Sequence, residues 1–234
     1  MSSVVNPVTT LARPPDLPAL AWVRDNVHVA HAHDANGDTA TAARTVSTLL
    51  THFQNQESRF RAVIENPAAA ATPMNRPHIR FDGRNLTELK EPWNHAQNDA
   101  LGYFLWLYCK LARAHSIECD AAALHCLELF PHYFQAIKFW RDPDSGHWEE
   151  VQKVAASSIG TVLAGLRELR GLLQELPRWS ATRHLQSNLP AGLVMELEAK
   201  GREALDAILP CECLFPAQHF RRFDAALLFL IYPL

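Results

Sequence analysis

The chain has 234 residues, of which 48% are hydrophobic and 20% are charged. Its 22 basic and 25 acidic side chains leave a formal net charge of −3, which argues against a nucleic-acid partner held by bulk positive charge. The hydrophobic content excludes disorder over most of the chain, and no apolar run reaches the roughly 18 residues of a membrane span. We therefore expect one domain, or at most two, in the cytoplasm and without a membrane partner.

The amino-terminal third is predicted to be helical after an extended lead-in. Residues 1–15 contain several prolines and little periodicity. Apolar spacing then predicts a short helix over residues 20–33 and a second, long helix that Asp38 or Thr39 can cap. Asn66, which precedes a proline, is expected to end this long helix.

The remainder of the chain combines one long loop with further helices. Residues 67–95 contain several prolines and a short alternating run at 79–81, which together predict a loop with a short strand. Helical periodicity then returns in several segments: 97–114, 120–139, 151–175, 193–209 and a last one from residue 223. The sequence thus predicts an all-α protein of six or seven helices paired as antiparallel hairpins, as in helical barrels and solenoids.

Polar and aromatic residues are clustered at three predicted helix ends. In the first cluster, Trp22-Val-Arg24-Asp25-Asn26, a guanidinium and a carboxylate can bracket a polyhydroxylated ligand. The alternative is an ordinary surface ion pair at a helix start.

The second cluster, Trp93-Asn-His95-Ala-Gln97-Asn98-Asp99, places five polar side chains before an apolar helix. It either binds a ligand or supplies Asn98 or Asp99 as the helix cap.

The third cluster, Ser145-Gly-His-Trp148-Glu149-Glu150, contains two adjacent carboxylates. A glutamic acid beside a large aromatic side chain can retain its proton through desolvation, as a general acid requires. The alternative is that Glu149 and Glu150 are first-turn acids of a helix beginning near Val151, where the helix dipole favours negative charge.

The sequence indicates no metal and no cofactor. His28, His31 and His33 are closely spaced but lack the accompanying motif of a zinc site. Cys109 and Cys126 lie on apolar helical segments, where buried, reduced thiols are expected. No glycine-rich loop that could cradle a phosphate is present.

In this order, the three clusters resemble the family 15 glycoside hydrolases. They are more similar still to the glucoamylase-like amino-terminal domain of the phosphorylase kinase α and β subunits. The similarity rests on residues 21–26, 91–100 and 144–150, with support from 221–233. It extends over about residues 16–234, which we therefore expect to form one partial glucoamylase-like domain.

The resemblance implies an (α/α)6 barrel whose loops form a sugar pocket at one end, with an α-glucan or a maltooligosaccharide as the ligand. It assigns the general acid to Glu149. The substrate-binding residues that it implies are Trp22, Arg24, Asp25, Trp93, Gln97, Asp99, Trp148 and Glu150. His95 and Asn98 stand where secreted glucoamylases usually have arginine, and this favours the phosphorylase-kinase-like branch.

The chemistry implied by the resemblance is exo-acting hydrolysis of an α-glucoside with inversion. A second carboxylate, roughly 6.5–9.5 Å from the acid, must activate water on the opposite face of the sugar. The family's base lies beyond the block that residues 223–233 resemble, so about half of the barrel is expected to be absent. An open seam would expose apolar helix faces, so we expect that the chain is truncated, that it self-associates or that a partner covers the seam. The alternative function is a non-catalytic glucan-binding or regulatory module.

Overall fold

The computed structural model describes residues 19–179, 184–214 and 220–233. The lead-in predicted over residues 1–15 lies outside these ranges. The helices are α1 (Val23–Ala35), α2 (Thr39–Gln54), α3 (Glu57–Glu65), α4 (Asn98–Arg113), α5 (Ala121–Ile137), α6 (Ala156–Glu175) and α7 (Leu193–Ile208). Three short strands, β1 (Leu20–Trp22), β2 (Arg80–Asp82) and β3 (Thr87–Glu88), form an antiparallel sheet in that order. The predicted all-α class is confirmed.

None of the helices in the described ranges is both long enough and apolar enough to cross a lipid bilayer.

The first predicted helix is shorter than expected because its start belongs to the sheet. Leu20–Trp22 pairs with Arg80–Asp82, with Ala21 opposite Phe81. Sequence periodicity could not reveal this pairing, because the two strands lie some sixty residues apart and β1 has only three residues. The strand places Trp22 immediately before α1.

The long helix predicted after Asp38 is two helices. Asp38 caps α2 as expected, since its Oδ1 accepts from the Thr41 amide at 3.2 Å. The break between α2 and α3 lies at Gln56, which is buried and bonds both backbone groups of His78. The Gln56 side chain, which supplies hydrogen-bond partners to the buried backbone of the loop, therefore interrupts a segment whose apolar pattern is helical.

Two later helices also differ from prediction. α6 begins at Ala156 rather than near Val151, which is exposed. The segment after Phe223 forms a 3-10 helix at Ala225–Leu230 instead of the start of a buried α-helix. In that segment only Ala226 is buried; Ala225 and Leu228 face solvent, and the remaining residues, Leu227, Phe229 and Leu230, are partly buried against the core.

Helices α1, α4 and α6 run parallel. Near the amino-terminal ends of α1 and α4, Arg24 bonds Asp99, and near their carboxyl ends Asp34 bonds Lys110. Arg113, at the end of α4, pairs with Glu168 and Glu175 towards the end of α6. The amino termini of three neighbouring helices therefore meet at one end of the molecule.

The closest approach is between α4 and α6, at two glycines. A Cβ on Gly102 would lie 2.5 Å from the carbonyl carbon of Thr161, and one on Gly165 would lie 2.8 Å from the Gly102 oxygen. Fourteen of the sixteen residues of α4 are buried, so this helix is the centre of the core. Its burial extends to polar residues at its start, where the candidate site lies.

A cluster of buried imidazoles supports the loop that leads into α4. The rings of His78 and His95 stack at 3.8 Å, and that of His52 stacks on Phe81 at 3.7 Å. Burial lowers the pKa of His52 to about 4 and that of His95 to about 3. The Ile79 amide donates to Nδ1 of His95 at 3.3 Å, which requires the neutral ring.

All five cysteines are buried and none forms a disulfide within the described residues, as expected for Cys109 and Cys126. Burial raises the pKa of Cys119 and of Cys126 to about 12, so both remain protonated thiols near neutral pH.

We expect Gly165→Ala to lower the free energy of unfolding by about 1–3 kcal/mol, because the new methyl group would meet the backbone of α4. Gly171→Ala in the same helix is the matched control, since its Cβ would meet only the flexible end of Arg113. In both variants the alanine also gains up to about 1 kcal/mol in helix propensity over the glycine that it replaces. Urea denaturation followed by circular dichroism measures both variants. Equal unfolding free energies would contradict the close α4–α6 contact.

The free energy of unfolding is also expected to fall as the pH is lowered from about 6.5 towards 4. In this window the unfolded chain takes up protons on imidazoles whose folded pKa is depressed, so the folded state loses relative stability. Each such imidazole contributes a slope of up to about 1.4 kcal/mol per pH unit. We expect His52→Gln to reduce the slope in urea titrations, and His184→Gln, which changes an exposed ring, to leave it unaltered. Equal slopes for His52→Gln and wild type would refute this origin.

Candidate functional site

The side chain of Arg24 joins all three polar clusters at the end where the helix amino termini meet. Its Nη1 donates to Gln97 Oε1 at 3.0 Å and to Asp99 Oδ2 at 2.9 Å. The same nitrogen donates to the Gly146 carbonyl oxygen at 3.2 Å, and Nη2 donates to Glu149 Oε1 at 3.1 Å. Segments separated by more than 120 residues in sequence thus meet at one guanidinium.

The alternative of a surface ion pair between Arg24 and Asp25 is wrong. The Arg24 side chain is only 10% exposed and its charge is matched by the fully buried Asp99. Asp25 follows it on α1 and is exposed, so its carboxylate is open to a ligand.

Asp99 is charged despite its burial. Desolvation is the largest influence and opposes the charge, but the positive charge and hydrogen bond of Arg24 outweigh it and hold the pKa of Asp99 below its usual value. Neither Asn98 nor Asp99 caps α4, so the alternative that the second cluster supplies the helix cap is wrong. The cap comes from Asp144, whose Oδ2 accepts from the Asn98 amide at 2.8 Å.

Asp144 is a site residue that the sequence analysis did not single out. It is fully buried, and its second oxygen accepts from Ser158 Oγ at 3.1 Å. Burial and the nearby charge of Asp99 raise the pKa of Asp144 above its usual value. One carboxyl group thereby links the starts of α4 and α6. Its position just ahead of the third cluster was the available signal.

Glu149 and Glu150 lie in a turn, residues 146–150, which we term the acid turn. The alternative that they are first-turn acids of the next helix is wrong, because α6 begins only at Ala156. Glu149 has φ +54° and Gly146 has φ +57°, so two residues of the turn are left-handed. The Glu149 side chain is 29% exposed, which leaves its carboxylate accessible beside Arg24.

The residues flanking Glu149 are held by other partners. Trp148 is 48% exposed, and its indole Nε1 donates to Asp224 Oδ1 at 2.8 Å. The Glu150 carboxylate pairs with Lys153 at 3.5 Å and with Arg221 at 2.5 Å. The hydrogen bond from Arg221 is the main cause that lowers the pKa of Glu150. Glu150 therefore faces cations of the protein rather than Arg24.

The two tryptophans of the first and second clusters flank an arginine that the sequence analysis missed. The guanidinium of Arg80 lies 4.4 Å from the ring centroid of Trp93 and 5.6 Å from that of Trp22. Arg80 Nη2 also donates to Glu91 Oε2 at 3.0 Å. The Trp93 indole nitrogen is buried, with no acceptor in the described part of the chain. The structure thus forms a second group from Trp22, Arg80 and Trp93.

His147 was also missed, although it lies within the third cluster. It is within 2.9 Å of the Tyr103 hydroxyl through Nε2, and its ring stacks on Phe229 at 4.3 Å. Its Nδ1 is 3.7 Å from Asp99 Oδ2. Burial lowers the pKa of His147 to about 4, so the ring is neutral near pH 7 and does not compete with Arg24 for Asp99.

Within residues 19–179, 184–214 and 220–233, no group of three histidine, cysteine or acidic side chains could hold a metal ion. The side chains that meet at the site offer hydrogen bonds, aromatic faces and carboxyl groups. Such a set suits a neutral, polyhydroxylated ligand.

The comparison with known proteins identifies the family. The model for glycosyl hydrolases family 15 matches residues 12–188, which include all three clusters. An isomaltose glucohydrolase of Kribbella flavida is 26% identical over 211 residues, covering 84% of this chain. A probable phosphorylase b kinase regulatory subunit alpha of Caenorhabditis elegans is 28% identical over 189 residues, covering 70% of this chain. The uncharacterised lipoprotein YgeQ of Escherichia coli is 31% identical over 113 residues, covering 42%.

The aligned regions span 53% of the glucohydrolase, 15% of the kinase subunit and 42% of YgeQ. The resemblance drawn from the three clusters is confirmed: the chain belongs to glycosyl hydrolases family 15.

Proposed function

We propose that this chain carries the acid side of a glucoamylase-type site, with Glu149 as the general acid. The site would bind the non-reducing end of an α-glucan or maltooligosaccharide and protonate its glycosidic oxygen. The observation that supports this most is the convergence of Gln97, Asp99 and Glu149 on Arg24. Of the two carboxylates that Arg24 binds, that of Glu149 alone is partly exposed, and the buried guanidinium fixes its position.

The accessible groups suit a sugar. Asp25 offers acceptor oxygens to vicinal hydroxyls, and the exposed face of Trp148 offers an apolar surface for the C–H side of a pyranose ring. Trp22 and Trp93 would line the same pocket. Gln97 and Asp99 are engaged by Arg24, so their role towards the sugar is to orient that arginine.

The proposed chemistry is hydrolysis with inversion. Glu149 would donate its proton to the leaving oxygen while another carboxylate activates water across the sugar ring, roughly 6.5–9.5 Å away. Glu150 does not fit this second role, since it is adjacent to Glu149 and is bound by Lys153 and Arg221. We propose that the base comes from a part of the barrel outside the described residues.

We further propose that residues 16–234 form part of an (α/α)6 barrel whose open side is covered by further chain or by another subunit. The parallel helices α1, α4 and α6 suit the inner layer of such a barrel. Phe223 and Ile231 are 85% and 77% exposed and belong to a stretch, residues 220–232, that carries several exposed large apolar side chains. A contiguous apolar patch of this kind is typical of a surface that another element covers. The cytoplasmic location stays a prediction.

A second candidate function, glucan binding without hydrolysis, is supported by the Arg24–Glu149 contact itself. Glu149 Oε1 accepts from Arg24 Nη2 at 3.1 Å, so one of its two oxygens is engaged by the protein rather than by a ligand. A site in which this ion pair kept both oxygens away from the glycosidic oxygen would bind sugar and regulate rather than cleave.

The test uses the full-length protein as its source makes it, so that the proposed base is present, and compares wild type with Glu149→Gln on isomaltose and maltotriose. We expect Glu149→Gln to lower kcat by about 10²–10⁴-fold, because the amide cannot supply a proton, while the sugar affinity changes little. Product release followed by NMR also reports the anomer, and inversion predicts that β-glucose appears first. Glu196→Gln, which changes an exposed carboxylate on α7, is the matched control.

Each outcome of this comparison is informative. Sugar binding without turnover in the wild type would favour the glucan-binding function. Turnover that survives Glu149→Gln would remove Glu149 as the acid. Absence of both binding and turnover would contradict the proposal as a whole.

The left-handed backbone at Glu149 gives a further expectation. Glu149→Gly should be more stable than Glu149→Ala by about 1 kcal/mol, because glycine adopts φ +54° without the Cβ penalty. Both variants lose the contact with Arg24, so their difference isolates the backbone conformation. Thermal and urea unfolding measure it. Identical stabilities would show that Glu149 does not hold this conformation in solution.

A further inference from the structure

A short segment after α7, residues 221–224, runs beside the acid turn and is fastened to the start of α6. Arg221 and Cys213 form an antiparallel bridge, with the Arg221 amide donating to the Cys213 oxygen at 3.0 Å. The Glu212 amide donates to the Arg221 oxygen at 2.8 Å, and the Ala156 amide donates to the Glu212 oxygen at 2.8 Å. The segment therefore has a fixed place relative to the helix start.

Two side chains of this segment bind the acid turn on either side of Glu149. Asp224 Oδ1 accepts from the Trp148 indole at 2.8 Å, and Asp224 Oδ2 accepts from Arg221 Nη1 at 2.9 Å. Arg221 Nη2 in turn lies 2.5 Å from Glu150 Oε2. The Asp224 side chain is largely buried, and its Oδ1 also accepts from the Ala226 amide at 2.9 Å. Charge-assisted bonds of this kind are stronger than neutral ones and fix orientation.

We propose that Asp224 and Arg221 are positioning residues of the acid turn, which hold Trp148 and Glu150 so that Glu149 alone is presented to the sugar. This inference rests on the proposed function. Glu149 occupies a left-handed conformation that is unfavourable for a non-glycine residue, so the turn needs anchors on both sides. The Trp148–Asp224 bond supplies the anchor before it, and the Glu150–Arg221 pair supplies the one after it.

The arrangement also specifies how Trp148 would contact a sugar. Its only hydrogen-bond donor, the indole nitrogen, is used by Asp224, so the exposed ring face is what remains for a ligand. Recognition at Trp148 would therefore be by stacking rather than by a hydrogen bond to a hydroxyl. Loss of Asp224 would free the indole to rotate and would remove that fixed face.

The test observes the indole Nε1–H resonance of Trp148 in the ¹⁵N-labelled chain, assigned by its loss in Trp148→Phe. We expect Asp224→Ala to shift this resonance upfield and to move the backbone amides of residues 146–150. Asp224→Asn keeps an acceptor oxygen without the charge, so we expect an intermediate shift and a partial rescue. Asp206→Ala, which removes an exposed carboxylate of α7, is the matched control.

Titration with maltotriose in the same spectra supplies the functional readout. We expect Asp224→Ala to weaken binding by about tenfold and Asp224→Asn to weaken it less, with melting temperatures close to that of the wild type. A positioning role predicts that the loss of maltotriose affinity follows the same order as the indole shift, with Asp224→Asn between wild type and Asp224→Ala. A purely structural role would lower the stability of the variants without producing this order.

Three results decide the inference. An indole resonance that stays in place in Asp224→Ala overturns the contact, and a shifted resonance with unchanged maltotriose affinity overturns the positioning role. If the wild type binds no sugar, the proposed function fails, and the positioning of the turn is then decided by the amide shifts of residues 146–150 alone. If Asp224→Ala does not fold, the near-isosteric Asp224→Asn carries the same comparison.

Discussion

The close contact between α4 and α6 is the constraint on which the rest of the structure depends. Gly102 and Gly165 let two parallel helices approach until backbone meets backbone, and no larger residue fits at either position. Parallel packing places both helix starts at one end, where α1 joins them. Each helix start carries unsatisfied amides and a partial positive charge, so this end is suited to carboxyl groups. Asp144 accepts directly from one of these amides, that of Asn98 in α4, and reaches the start of α6 through the Ser158 hydroxyl.

The same end concentrates acidic residues, and Arg24 balances them. Its guanidinium presents several donors in one plane, so it can bond Gln97, Asp99 and Glu149 at once, which a lysine ammonium on a flexible stem could not do with the same fixed geometry. A buried charge without a partner would be strongly destabilising, and here Asp99 meets that need. The cost of burying Arg24 is thus offset inside the site, and the outcome is a fixed orientation for Glu149.

The class of the fold and the three segments that meet at the candidate site could be predicted from local patterns, whereas the contacts could not. Apolar spacing over α2, α5 and α7 was enough because those helices bury a regular face, and α4, which is buried nearly all round, stood out by its high apolar content. It failed at Gln56 and at β1, where a distant segment decides the conformation. The three polar clusters marked the site, but Arg80, Asp144 and His147 act on residues far away in the chain, and a single sequence gives no measure of such distances.

Adjacent glutamates would ordinarily compete for the same surroundings, and the acid turn keeps them apart. The left-handed backbone at Glu149 turns the chain between the two side chains, so Glu149 meets Arg24 from α1 while Glu150 meets Lys153 and Arg221. The two carboxylates therefore have different partners, although they are chemically identical. A right-handed residue at Glu149 would continue the chain in another direction and bring this separation to an end. The strained conformation is thus the local feature that distinguishes one glutamate from its neighbour.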